Sequence, residues 1–146
     1  MGRRRLLLLL SLLPLALAAP AAASEKKKAG EENKQVGQYV DLQPVALPIV
    51  VDGQLVNYVF VSVRLNLTAN ADTSRWRARE PYFRDALVRA GHQTPFTLAG
   101  DYEKIDAPRM TTTLLRAATA MTGANVIRSV VVTSQVPSRR VRRPTG

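Results

Sequence analysis

The sequence predicts an α+β fold, a two-layer sandwich in which a mostly antiparallel sheet carries two helices on one face, in the order β-β-α-α-β. Three observations carry that expectation. Residues 55–67 alternate with the period of two that a half-buried strand requires. Between Asp72 and Gly123 the apolar residues recur instead at three- and four-residue spacings, in two stretches separated by Pro95 and Gly100. Residues 125–136 then return to a β-branched, valine-rich run. Strands on either side of a helical pair favour an antiparallel or mixed sheet over a parallel one.

The apolar segment 39–51 contains Pro44 and Pro48, each lacking the amide donor that a central strand needs. Val45–Val51 is therefore expected at a sheet edge. Asp52-Gly53 supplies a type I′ turn into the long strand. On that strand Leu55, Val59, Val61, Val63, Leu65 and Leu67 share one face, interrupted only by Asn57. Val56, Tyr58, Phe60, Ser62, Arg64 and Asn66 form the other, and the first face should meet the helices.

Asp72 is placed to cap a helix whose apolar stripe is Trp76, Phe83, Leu87 and Ala90, with Pro81 expected to kink or divide it. Gly91 is expected to close this helix, leaving His92 in a loop that runs through Pro95 and Gly100. Asp106 caps the second helix, tolerates Pro108 in the first turn, and precedes the stripe Met110, Leu114, Ala117, Ala118 and Met121, with Gly123 as the stop. In the final strand Val126, Val130, Val132 and Val136 should lie on one face and Ile127 and Val131 on the other. Apolar on both sides, it reads as buried between layers until Pro137 ends it.

Flanking this single domain, 39–137, are segments of another character. Residues 1–23 pair Arg3, Arg4 and Arg5 with an apolar run over 6–19 and small residues up to Ala23, the order of a secretory signal peptide. The alternative is a retained membrane anchor, although the run is interrupted by Pro14 and Pro20 and falls short of the roughly 20 apolar residues that a spanning helix needs. Arg3 and Arg4 also fit a loose twin-arginine pattern, so the export route stays open. Either reading puts the domain across the inner membrane of a bacterium, in the periplasm. Residues 24–38 are mixed in charge and almost without apolar side chains, a flexible tether, and 138–146 form a basic, disordered tail.

About 120 residues remain beyond the leader, enough for one core. The chain has no cysteine, so packing or assembly must supply its stability. Removing the three leader arginines from 21 basic residues leaves 18 against 11 acids, a balance of +7. For an exported chain that surplus favours anionic lipid, acidic polymer or an acidic protein face over nucleic acid. The candidate partner-binding residues are Arg75, Arg79, Arg84 and Arg89 on the first helix and Arg139, Arg140, Arg142 and Arg143 in the tail.

Catalytic chemistry is hard to assemble. His92 is the sole histidine, and no serine sits in a Gly-x-Ser-x-Gly elbow. One histidine without cysteine excludes zinc sites of the usual composition from a single chain. Asp101, Glu103 and Asp106 cluster with an alternation that offers oxygens to calcium, yet the glycine and the downstream bidentate glutamate of a calcium loop are missing. Asn66-Leu67-Thr68 matches a glycosylation acceptor by coincidence, since it lies within a strand. The sequence therefore predicts no catalytic, metal or cofactor site, and no enzyme.

Several segments taken together resemble the flagellar basal-body-associated FliL family. The similar features are Tyr39-Val40-Asp41-Leu42-Gln43-Pro44, the strand at 58–67, Glu80-Pro81-Tyr82-Phe83-Arg84-Asp85-Ala86-Leu87, the helix at 106–121 and the valine-rich strand at 126–136. The resemblance implies a domain of the stomatin and prohibitin type, and a non-enzymatic, oligomeric periplasmic scaffold that supports the stator complexes of the flagellar motor at the inner membrane. Cleavage of the leader would instead free the domain, and the alternative is a soluble periplasmic module that binds an anionic ligand, polymer or acidic protein face and has no flagellar role.

Overall fold

Residues 37–141 are described by a computed structural model. The leader, most of the tether, and Arg142 and Arg143 lie outside the described residues. The architecture is the α+β sandwich that the sequence predicts, with strands β1 (Tyr39–Asp41), β2 (Val45–Val51) and β3 (Gln54–Leu67), helices α1 (Thr73–Ala78) and α2 (Glu80–Gln93), a hairpin of β4 (Thr97–Leu98) and β5 (Asp101–Ile105), helix α3 (Ala107–Thr122) and strand β6 (Ile127–Pro137).

β3 is the spine of the sheet. β1 and β2 run antiparallel along one edge of it, pairing Tyr39 with Asn66 and Val45 with Val61, and β6 runs antiparallel along the other. β2 is an edge strand, as Pro48 within it requires. The turn into β3 has positive φ at both Asp52 (50°) and Gly53 (74°), the two-residue type I′ geometry whose twist matches the flanking strands. From Asn57 to Leu67 the odd-numbered residues of β3 are buried, and they meet Phe83, Leu87, Met110, Leu114 and Ala118 from the helices in one core. α2 packs against β2 and α3, and α3 against β6, so all of the helical layer lies on that side.

Four local features differ from the sequence-based expectation, while Pro81 brings about one of the two outcomes expected of it. Leu55 is exposed: a bulge opposite Ile49 and Val50 makes the tip of the β2–β3 hairpin irregular, and the helices do not reach it. Pro81 divides the first helix outright at Arg79, because the ring lacks an amide hydrogen and fits only the first turn of α2. Gly91 lies within α2, which runs to Gln93 with Thr94 as its C-cap, and His92 therefore belongs to the last helical turn. Gly91 is a glycine because of close approach to β2, not because of capping.

The segment 95–105 is a β-hairpin rather than a loop. Phe96 and Ile105 are buried beneath it, and Thr97 Oγ1 both accepts from the Val50 amide and donates to the Val50 carbonyl. The fourth difference is β6. Bulges at Arg128 and Thr133 rotate the alternation, so that Ile127, Val130 and Val132 face the helices while Val131 and Val136 face the other way. It is an edge strand with one open face, not a strand enclosed between layers.

The ladder continues past Pro137. Ser138 N donates to Tyr58 O (2.7 Å), the Asn57 side-chain amide donates to both Tyr102 O (2.9 Å) and Arg139 O (2.8 Å), and Val141 N donates to Glu103 Oε1 (2.9 Å). Asn57 is 2 % exposed, so the one polar residue of the inward face is a clamp that ties the β4–β5 hairpin and the C-terminal segment to β3.

Candidate protein-docking surfaces

One face of the sheet carries no helix. Its centre is apolar: Phe60 of β3 stands opposite Val136 of β6, with Tyr58 beside it and Val131 opposite Arg64. Their exposures are 44 % for Phe60, 38 % for Tyr58, 43 % for Val131 and 56 % for Val136. Period-two alternation put Tyr58 and Phe60 on this face, but the bulges that bring Val136 to it leave no signal in the sequence.

The polar groups on the same face are already partnered. Arg64 forks onto Asp41, Nε to Oδ1 at 2.6 Å and Nη2 to Oδ2 at 3.0 Å, and its guanidinium sits 3.9 Å from the Tyr39 ring centroid. The Asp41 hydrogen bond raises the Arg64 pKa, against a smaller opposing effect of burial, so the cation is permanent. Ser134 Oγ donates to Ser62 Oγ (3.0 Å), and Asn66 Nδ2 donates to Ser129 Oγ (3.0 Å). Covering this face would strand few donors or acceptors, which removes the usual cost of burying polar surface.

A second surface forms at the break between α1 and α2. Asp72 Oδ1 accepts from Arg75 N (3.0 Å) and starts α1, which turns the Trp76 side chain inward against Phe83, with ring centroids 6.3 Å apart. The guanidinium groups of Arg75 and Arg79 lie 5.0 and 5.9 Å from the Trp76 ring centroid, and Arg77 lies 5.7 Å from that of Tyr39. Trp76, Arg79, Tyr82, Phe83 and Met121 line a cleft of about 390 Å³. The helix stripes singled out Trp76, Phe83 and Met121 as core residues; Trp76 and Phe83 are buried, whereas Met121 is 41 % exposed.

The predicted arginine set separates in the structure. Arg84 lies 3.8 Å from Glu80 and Arg89 is paired with Asp85, both across one helical turn. Arg139 Nη2 donates to Val56 O (2.6 Å), Arg140 is exposed, and Arg142 and Arg143 lie outside the described residues. Among the described residues, no carboxylate lies within 4.0 Å of Arg75 or Arg79. These two are brought together around Trp76, whereas Arg84 and Arg89 belong to a solvated, charge-balanced helix face.

The remaining titratable candidates serve the backbone. His92 Nδ1 lies 2.9 Å from Val88 O, a bond within α2. Asp101 accepts from Glu103 N, Glu103 from Val141 N, and Asp106 from Arg109 N at the start of α3. Among the described residues no cluster of three or more histidine or acidic side chains is arranged to hold a metal ion, and no helix is long and apolar enough to cross a membrane. The chain matches no protein-family model and no curated protein.

Proposed function

We propose that the chain is a non-enzymatic periplasmic scaffold or adaptor of the FliL kind, a homo-oligomer delivered by its N-terminal segment to the inner membrane, where it supports flagellar motor stator complexes. The observation that carries this reading is the uncovered sheet face. Contiguous exposed apolar side chains on a face whose charges cancel internally are the mark of a protein-association surface. The chemistry of the face suits assembly more than turnover.

The test is deletion of the gene, with complementation. The scaffold reading expects impaired swimming on deletion, rescue by the wild-type chain, and poor rescue by Phe60→Ser combined with Val136→Ser at equal protein level. Normal swimming of the deletion strain contradicts it and favours the alternative, a soluble periplasmic module for an anionic ligand, polymer or acidic protein face.

A further inference from the structure

We propose that the cleft between Trp76, Tyr82, Phe83 and Met121 is an anchor pocket for an acidic protein segment, which inserts one large apolar side chain while its flanking carboxylates meet Arg79 and Arg75. The inference deepens the adaptor reading and rests on it for the premise that the chain engages other proteins.

The pocket exists because the helix is broken. Pro81 sits in the first turn of α2, α1 stops at Ala78, and the chain changes direction at Arg79. That corner leaves a cleft over the Trp76–Phe83 pair, whose rings stay buried at 6 % and 1 % exposure and form its floor. Tyr82 (66 % exposed) and Met121 (41 % exposed, at the end of α3) form the walls. A volume of about 390 Å³ is near the lower end of the roughly 300–1,000 Å³ that ligand pockets span, a size for one or two side chains rather than an extended ligand.

Composition and charge then select the occupant. Aromatic residues, methionine and arginine are the types enriched where proteins meet, and tryptophan, tyrosine and arginine are enriched among the residues that carry most of the binding energy. Arg75 and Arg79 have no carboxylate within 4.0 Å among the described residues, while Arg84 and Arg89 on the next turns do. The cations nearest the pocket are thus the ones still able to take an anion. An anionic membrane would be met by protruding apolar side chains that enter the bilayer interface. A concave site with cations on its rim instead receives a side chain from a partner that carries acids beside it.

Trp76 is the only tryptophan in the chain, so its emission reports directly on the pocket. The full chain is titrated with a synthetic peptide of glutamates around one central phenylalanine. A saturable change in Trp76 emission is expected, with Arg79→Glu and Met121→Gln each weakening affinity about tenfold or more, while Arg116→Glu on the exposed side of α3 leaves it unchanged. The matching peptides with serine for phenylalanine, or lysine for glutamate, should give no saturation.

No saturable response up to about 1 mM peptide, or equal affinity in Arg79→Glu, overturns the proposal. So does an emission change produced by phosphatidylglycerol vesicles and abolished by Arg79→Glu when the peptide produces none, because the site would then serve a lipid surface. Failure of peptide binding in a chain whose deletion still impairs swimming removes the pocket and leaves the scaffold. Peptide binding with normal swimming on deletion supports the pocket and removes the flagellar role.

Discussion

Gly91 of α2 lies so close to Leu47 of β2 that a Cβ added to the glycine would stand 2.8 Å from Leu47 Cδ2, inside van der Waals contact. The helix therefore rests on the sheet at a distance that only glycine permits. Leu47 is itself 1 % exposed, so its side chain has little room to retreat.

Gly91→Ala accordingly sets two effects against each other. Helix propensity improves by about 1 kcal/mol, while overpacking a closed core costs typically about 1–3 kcal/mol. A net loss of about 1 kcal/mol is expected in urea unfolding of the full chain, and a gain in stability would show that the helix can lift from β2 without loss.

Asn57 joins three segments that are distant in sequence. Asn57→Leu keeps the volume but removes the donor to Tyr102 O and Arg139 O, and leaving two partly buried carbonyls without partners should cost about 2–3 kcal/mol. Hydrogen exchange should speed up in β5 and in the segment after Pro137 first. Unchanged exchange in both would mean that the clamp holds neither.

Asp72 starts the short helix that carries Trp76 into the core. Replacing this cap with alanine should cost about 1 kcal/mol and shift Trp76 emission to the red as α1 frays. An unaltered emission spectrum would show that packing against Phe83 alone positions the indole.

These relationships also mark what the sequence could and could not convey. The inward face of β3 was readable from Val59 to Leu67 because a single helical layer imposes a strict period of two. The caps Asp72 and Asp106 and the turn at Asp52-Gly53 were readable because each is a local device. Gly91 was misread because its reason lies across the core, in Leu47, and glycine near a helix end looks the same whether it caps or makes room. The β4–β5 hairpin was missed because Thr97 and Leu98 are too few to show alternation, and the groups that hold it, Val50 against Thr97 and the Gln135 side chain against the Ile105 amide, are far away in sequence.

The candidate surfaces divide in the same way. Tyr58 and Phe60 were legible on the second face of β3, but two bulges decide that Val136 joins them, and bulges depend on register rather than composition. Of the arginines, Arg84 and Arg89 have acids four residues away that predict their pairing. Which arginines stay uncompensated beside Trp76 depends on where Pro81 turns the chain.

The central claim, that the helix-free face of the sheet joins copies of the chain, is tested most directly by sedimentation equilibrium of the full chain against Phe60→Ser combined with Val136→Ser. Both side chains are exposed, so the variant should keep the wild-type thermal transition within a few degrees, roughly what a loss below about 1 kcal/mol produces. Self-association of the wild type at micromolar concentration, lost or sharply weakened in the variant, is the predicted result. A wild-type chain that sediments as a monomer throughout, or a variant that assembles as well as the wild type, would contradict the claim.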